Sequence, residues 1–187
     1  MVRAERFILS VNGSTRATAY DMSGKIIRAA GKLHVAWLDR VAEIQVRTLD
    51  LAGGAWSQAV HVGTGMDNHS GPAMTMDSRG FLSIAFGPHH GPLQFRRTVA
   101  PHATAAWGAV ETVGINATYP SLVCGPDDTL HLTYRGGPMP RRLMYQRRPP
   151  GDAWSEPVEL VDSQVPSGYT QFGNALAVAP GGALPLA

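Results

Sequence analysis

The sequence predicts an all-β fold made of repeated four-stranded units, and two marks that recur with one period carry this prediction. The first mark is a short apolar strand that ends on an aromatic residue, in GKLHVAWLD, GFLSIAFGP and DTLHLTYRG. Its leucines, spaced by 49 and 48 residues, are Leu33, Leu82 and Leu130. The second mark is a tryptophan in a small-residue context, spaced by 51 and 47 residues, at Trp56, Trp107 and Trp154. Two independent marks with one period define an internal repeat.

Each unit contains four segments that are predicted to be strands. In the second unit these segments are Pro72–Met76, Phe81–Phe86, Leu93–Thr98 and Ala109–Val113. All are short, rich in β-forming residues and bounded by Gly, Pro, Asp or Ser. No stretch shows a helical apolar period over three turns, so helices are not expected. Four strands in a unit of about 40 to 50 residues indicate a β-propeller blade. A β-sandwich is the alternative, but it does not require one tryptophan at the same place in each unit.

The chain is expected to hold about three blades and the start of a fourth. The predicted blades are residues 17–63, 66–114, 117–163 and 169–187, the last of them unfinished. Propellers close with about four to eight blades. Residues 1–187 are therefore expected to form a single partial propeller domain, the N-terminal fragment of a longer ring. Unpaired blade edges would leave such an open ring poorly stable or prone to associate.

The composition excludes several classes of protein. A hydrophobic content of 44% and a charged content of 16% are typical of a globular chain. A formal charge of +2 gives no reason to expect a nucleic-acid partner. The single cysteine, Cys124, cannot form an intrachain disulfide or a cysteine-based zinc site. The apolar run Phe7–Leu9 is too short for a signal peptide or a membrane span, and the sequence does not define an oligomeric state.

Polar residues flank the predicted inner strands of two neighbouring blades. His69 precedes the first strand of the second unit, and His89 and His90 follow its second strand. Tyr119 precedes the first strand of the third unit, and Arg135 follows its second strand. In an antiparallel blade, the loop that enters strand one and the loop that leaves strand two lie on the same face. The sequence therefore predicts that these five side chains meet at one face of the propeller.

Structural roles stay open for each of these residues. His69 can be a turn residue that bonds its own backbone, and Tyr119, which precedes a proline, can be a packing residue. Arg135 can pair with a nearby carboxylate. Adjacent residues usually point in different directions, so only one of His89 and His90 is expected to be functional.

Four motifs, DNHSGP, GPHHGPLQFRR, ATYPSL and LTYRGG, occur in an order that resembles the BNR-4 repeat propeller proteins, over residues 17–178. That family includes the ulvan lyases, polysaccharide lyases that cut a sulfated algal polymer at uronic acid residues. The resemblance implies an acidic polysaccharide as partner and a secreted or periplasmic location. No cofactor is identifiable in the chain, and the resemblance leaves room for a structural metal only in later blades.

The resemblance also implies which residues act. In those lyases a histidine, a tyrosine and an arginine on one face of a seven-bladed propeller carry the reaction, and a second histidine assists. The matching positions here are His69, Tyr119, Arg135 and either His89 or His90. Three further residues of the same motifs are predicted to contact the substrate: Asn68, Tyr134 and Arg97. No residue is assigned as a metal ligand.

A uronate lyase removes the proton on C5 of the sugar and expels the group on O4. A cation on the sugar carboxylate stabilises the enolate-like transition state, and the guanidinium of Arg135 suits this role. His69, with an ordinary pKa of about 6.5, suits the base, and Tyr119 suits the acid. The alternative in which Tyr119 serves as both base and acid stays open. His89 or His90 would orient the substrate.

Two other functions use the same polar face. One is a non-catalytic sugar-binding propeller. The other is a sialidase-like glycoside hydrolase, which normally needs two carboxylates at its site. Asp67 and Asp39 are candidates, but nothing in the sequence pairs them, and the Asp-box repeat of sialidases is absent in proper form.

Overall fold

The computed structural model describes residues 6–137, 142–162 and 174–187. These residues form eleven β-strands, and none of them lies in a helix. The strands are β1 Ile26–Ala29, β2 Lys32–Asp39, β3 Glu43–Asp50, β4 Val60–Thr64, β5 Ala73–Met76, β6 Leu82–Phe86, β7 His89–Arg97, β8 Glu111–Cys124, β9 Leu130–Gly136, β10 Arg142–Arg148 and β11 Val158–Val161. Across the described part of the chain, no helix has the length and apolarity needed to cross a membrane.

The strands form two antiparallel sheets in which neighbours in sequence are neighbours in space. One sheet has four strands in the order β1-β2-β3-β4, and the other has seven in the order β11-β10-β9-β8-β7-β6-β5. Every pairing is antiparallel, as short connections between successive strands require. The prediction of an all-β fold with four-stranded units is confirmed, and the architecture is that of an incomplete propeller.

One long strand joins the second and third predicted units. The N-terminal part of β8 pairs with β7, and its C-terminal part pairs with β9. Thr118 lies between the two parts, opposite His89 on one side and Arg135 on the other. The sequence predicts a separate strand that ends near Val113, whereas the structure continues it to Cys124. The division of the chain into blades at the predicted boundaries stays a prediction.

A core of apolar side chains fills the space between the two sheets. Ala36, Leu38, Ile44, Val46 and Val62 of the four-stranded sheet pack against residues of β5 and β6. The β6 residue Phe86 is fully buried in this core. A side chain at Gly63 would meet the ring of Phe86, so the glycine allows the two sheets to approach. Burying such a large apolar side chain contributes roughly 1.5–3 kcal/mol.

A second core packs the two halves of the seven-stranded sheet against each other. Leu93 and Phe95 of β7 pack with Leu122 of β8 and Leu132 of β9. The repeat tryptophan Trp154 meets the ring of Phe95 edge-on, with 5.3 Å between ring centroids. The two halves therefore bury apolar faces against each other, and this brings the N-terminal ends of β5 and β7 close to the middle of β8.

Candidate functional site

Two histidines share one carboxylate at the N-terminal ends of β5 and β7. Nδ1 of His69 lies 3.2 Å from Oδ1 of Asp67, and Nδ1 of His89 lies 2.5 Å from Oδ2 of the same residue. The two imidazole rings stack with 4.1 Å between their centroids. Because an ionised carboxylate only accepts hydrogen bonds, each ring bonded in this way carries its proton on Nδ1. Nε2 is then the nitrogen of each ring that can accept a proton from another group.

The loop that carries Asp67 and His69 is fixed by its own hydrogen bonds. The amide of His69 donates to Oδ1 of Asp67 at 2.7 Å, which closes an Asx turn. The hydroxyl of Ser70 accepts from the amides of Met66 and Asp67 at 2.9 and 3.2 Å. The same hydroxyl donates to the carbonyl of Gly87 at 3.3 Å, which ties this loop to the one before His89. Ser70 is fully buried, so these bonds are shielded from water.

Tyr119 and Arg135 lie beneath the surface next to His69. Cζ of Arg135 sits 4.7 Å from the centroid of the Tyr119 ring, in a cation–π arrangement. The Tyr119 ring lies 6.3 Å from that of His69. Tyr119 has a φ of 56°, a left-handed conformation that costs a non-glycine residue about 1–2 kcal/mol. This backbone turn occurs where β8 exchanges β7 for β9 as its partner.

Two residues of the N-terminal segment complete the cluster, and neither is predicted from the sequence. The Tyr20 ring lies 4.7 Å from that of Tyr119 and 6.4 Å from that of His69. Nη1 of Arg16 donates to the hydroxyl of Tyr20 at 2.6 Å. Arg16 lies just before the first predicted unit and Tyr20 lies near its start, and both precede the first of the two marks, so neither mark of the repeat points to them. Their only sequence signal is a spacing of four residues between a cation and a phenol.

The surroundings set the protonation state of the main groups. Burial, together with the nearby His89 and Arg16, lowers the pKa of His69 below its ordinary value. Burial also raises the pKa of Tyr119 to about 12, and Tyr20 adds to this effect. Burial would raise the pKa of Asp67, but hydrogen bonds from the His69 amide and the His89 ring outweigh it and hold that pKa low. At neutral pH His69 is therefore an uncharged base, Tyr119 a protonated phenol and Asp67 a carboxylate.

Most of the predicted site residues lie together. His69, His89, His90, Tyr119 and Arg135 form one cluster, with 4.6 Å between the ring centroids of His89 and His90. The two adjacent histidines begin β7, although the sequence predicts that they lie in a loop. His90 is exposed, and its amide donates to Oγ1 of Thr118 at 3.1 Å.

The depth of Tyr119 and Arg135 differs from the prediction. The sequence predicts both at an exposed face, whereas Tyr119 is 2% exposed and Arg135 1% exposed. Tyr20 packs on the Tyr119 ring, and that ring packs on Arg135, so the guanidinium lies under two aromatic rings. Arg135 therefore does not have the exposed position in which it was expected to meet a sugar carboxylate.

Of the three residues predicted to contact the substrate, only Asn68 lies beside the cluster. Asn68 lies in the same turn as His69, and its amide donates to Oγ1 of Thr15 at 3.1 Å. Tyr134 belongs to the core, where it is 2% exposed and its hydroxyl donates to Oε1 of Gln146 at 2.8 Å. Arg97 lies at the far end of β7 from His89 and forms an ion pair with Asp77. Tyr134 and Arg97 are therefore not part of the cluster, because strand alternation and strand length carry them away from it.

The structure also brings together a set of potential metal ligands. The ligand atoms of Asp67, His69 and His89 all lie within 4.8 Å of one another. Two imidazole nitrogens and a carboxylate oxygen are a common donor set for zinc and similar ions. The sequence predicts no metal ligand here, because His69 and His89 are twenty residues apart, outside the short spacing typical of zinc motifs.

The fold and this histidine-rich face together define a propeller-type protein with a polar site at one end of its inner strands. The model of the BNR repeat-containing family matches residues 32–173. This match covers most of the chain, and the chain belongs to that family. The family resemblance drawn from the four motifs is thereby confirmed.

Known proteins that are similar to this chain include lyases and a glycosidase. The ulvan lyase of Nonlabens ulvanivorans is 26% identical over 112 residues, which make up 51% of this chain and 24% of that protein. A solved ulvan lyase of polysaccharide lyase family PL25 has a TM-score of 0.72 and 18% identity, over 81% of this chain and 40% of its own. An α-L-arabinofuranosidase of Podospora anserina has a TM-score of 0.56 and 13% identity, over 94% of this chain and 62% of its own.

These likenesses differ in what they establish. The chain spans about a quarter of the length of the curated ulvan lyase and 40% of the solved one. At identities of 18% and below, the structural likeness shows the fold alone. A solved PL25 lyase holds the fragment -[GlcA(1-4)Rha3S]-, which contains a uronic acid and a sulfated sugar.

Proposed function

We propose that the protein is a polysaccharide lyase that cleaves a uronic-acid-containing polysaccharide by β-elimination. The observation that carries this proposal is the sharing of Asp67 by His69 and His89, with Nδ1 of each ring on one carboxylate oxygen. This arrangement fixes the tautomer in which Nε2 is basic, which a general base near neutral pH requires. The curated ulvan lyase relative and the uronate fragment bound to a PL25 lyase support the substrate class.

The proposed reaction moves two protons. Nε2 of His69 takes the proton from C5 of the uronic acid, and the electron pair of that bond forms the double bond between C4 and C5. The bond between C4 and O4 breaks, and O4 receives a proton from the hydroxyl of Tyr119. The raised pKa of Tyr119 keeps its proton in place at neutral pH and favours the acid role over the base role. A proton returned from His69 to Tyr119 through solvent resets the site.

The sugar carboxylate needs a positive partner, and Arg16 is better exposed for this role than Arg135. Arg16 is half-buried beside Tyr20, whereas Arg135 is 1% exposed. In this proposal Arg16 binds the carboxylate of the uronic acid and stabilises the charge that develops during proton removal. Arg135 supports the Tyr119 ring from beneath and opposes the effect of burial on its pKa.

A non-catalytic sugar-binding face is the second candidate, and the burial of Tyr119 favours it. A phenol that is 2% exposed must be uncovered before it can protonate a leaving oxygen. In a binding protein the same residues would hold the sugar through hydrogen bonds and ring contacts, and no bond would break. A glycoside hydrolase has less support, because Asp67 bonds two histidines and Asp39 accepts from Ser10 at 2.7 Å.

The experiment compares Tyr119→Phe with Tyr145→Phe on uronate-containing polysaccharide. Elimination creates a conjugated double bond that absorbs in the near ultraviolet, and neither hydrolysis nor binding does so. Tyr119→Phe keeps the ring that packs on Tyr20 and Arg135 and removes only the hydroxyl, so binding should persist while the absorbance increase is lost. Tyr145→Phe removes a hydroxyl that bonds His131 at 2.7 Å and should leave turnover unchanged. Full turnover by Tyr119→Phe would remove Tyr119 from the mechanism.

A further inference from the structure

We propose that Asp67, His69 and His89 bind one divalent transition-metal ion of the zinc class, and that the bound ion switches off the proposed base. The site itself follows from the geometry of these three side chains. Only its effect on catalysis rests on the proposed lyase function.

The donor atoms suit such an ion. Zinc binds imidazole nitrogen and carboxylate oxygen at about 2.0–2.2 Å, so two ligands of one ion lie at most about 4.4 Å apart. The three donor atoms lie within 4.8 Å of one another, with 3.2 and 2.5 Å between the histidine nitrogens and the carboxylate oxygens. In a tetrahedral site the ligands of one ion lie about 3.4 Å apart, so side-chain shifts of about an ångström would bring all three donors to one ion.

The surrounding hydrogen bonds hold the ligands near these positions before an ion arrives. The Asx turn fixes the carboxylate of Asp67 against the amide of His69. Ser70 joins the two loops through the amide of Asp67 and the carbonyl of Gly87. Bonds of this kind, one step away from the ligands, typically change metal affinity by 10- to 100-fold.

The site is open to solvent on one side. The side chains of Asp67, His69 and His89 are 38%, 22% and 27% exposed. An ion can therefore enter without a change in the fold. Three protein ligands leave one position of a tetrahedral zinc ion for water or for an oxygen of the sugar, which is the pattern of open rather than closed zinc sites.

Metal binding and base catalysis exclude each other in this geometry. An ion on Nδ1 of His69 takes the place of the Nδ1 proton, and the neutral ring then carries its proton on Nε2. A ring in that tautomer cannot accept the C5 proton. Zinc should therefore inhibit elimination, and a chelator should restore it.

The direct test is a titration of the metal-free protein with Zn²⁺ in the absence of polysaccharide, followed by calorimetry, with Co²⁺ as a spectroscopic probe. Wild type should bind one ion per chain, and Co²⁺ should give the visible absorption of a four-coordinate site. Asp67→Asn and His89→Ala should each weaken Zn²⁺ binding at least tenfold. His61→Ala, on β4, is the matched control because it removes an exposed histidine that bonds Thr64. The affinity of this variant for Zn²⁺ should equal that of wild type.

Two results would overturn the metal site. One is the absence of saturable binding of one ion by wild type, which would leave the cluster as a hydrogen-bonded pair of histidines. The other is undiminished affinity in His89→Ala, a position that is 27% exposed and lies outside the apolar core. Because no polysaccharide is present, an inactive protein that binds Zn²⁺ would remove the lyase proposal and keep the metal site. An active lyase that does not bind Zn²⁺ would remove the metal site and keep the lyase proposal.

Discussion

The substitution Asp67→Asn tests whether the shared carboxylate orients the two histidines. Asparagine keeps the size of the side chain and one acceptor oxygen, which can still serve the His69 amide. Its NH₂ group replaces the second acceptor and faces the Nδ1 proton of one ring. That ring is His89, whose Nδ1 bonds Oδ2, and it must turn or change tautomer. The Nδ1 proton of His69 is left with a neutral amide oxygen in place of a carboxylate, so the proposed base is held less firmly in the tautomer that leaves Nε2 basic.

The size of the effect follows from the bond that is lost. A hydrogen bond to a charged group contributes about 1.5–3 kcal/mol, and solvent screening of a carboxylate that is 38% exposed favours the lower end of this range. Since each 1.36 kcal/mol changes a rate tenfold, the rate of elimination should fall by roughly 10-fold, and by about 150-fold at most.

The assay is the initial rate of double-bond formation on a uronate polysaccharide, measured over a range of substrate concentrations. The loss should appear in kcat more than in KM, because the carboxylate acts on the base and does not touch the sugar. A thermal melt of each protein checks that the fold is unchanged. A rate within about twofold of wild type would refute the role assigned to Asp67.

Three further predictions concern the core, a buried histidine and the carboxylate partner. Phe86→Ala should lower the free energy of unfolding in urea by about 3–5 kcal/mol, because the ring is fully buried between the sheets. Phe81 is half-buried, so Phe81→Ala should lower that free energy by less. Equal losses in the two variants would contradict the core assignment. Burial, with Lys32 and His102, lowers the pKa of His34 to about 4. The unfolded chain therefore takes up this proton first, and stability should fall by up to about 3 kcal/mol as the pH drops from about 6.5 to about 4. In His34→Gln this part of the loss should disappear, and an unchanged pH slope would contradict the assignment. Arg16→Gln should lower kcat/KM on uronate polysaccharide about tenfold or more, and an unchanged value would exclude Arg16 as the carboxylate partner.

The repeat could be read from the sequence because its residues follow local rules. Leu82 and Leu130 recur because the same strand of successive units faces a core, and both are buried. Turn residues around the predicted strands located β5 to β7 to within a few residues. The continuous strand β8 could not be predicted in this way, because Thr118 joins two units through pairing with β7 and β9, which are distant in sequence from each other.

Part of the site could be predicted because the strands that carry it also follow local rules. Antiparallel pairing brings the starts of β5 and β7 to the middle of β8, and His69, His89 and Tyr119 therefore lie together, as predicted. The role of Asp67 depends on two side-chain rotamers, and the positions of Arg16 and Tyr20 depend on how an N-terminal segment packs on residues about fifty and a hundred positions away. Composition and spacing carry no information on such contacts.

The most direct test of the account measures ultraviolet absorbance while the protein is incubated with a uronate-containing polysaccharide, with His69→Ala as the comparison. The account predicts a steady increase in absorbance for wild type, from the new double bond, and none for His69→Ala, although both proteins bind the polymer. Sugar release without this absorbance, or equal absorbance from His69→Ala, would contradict it.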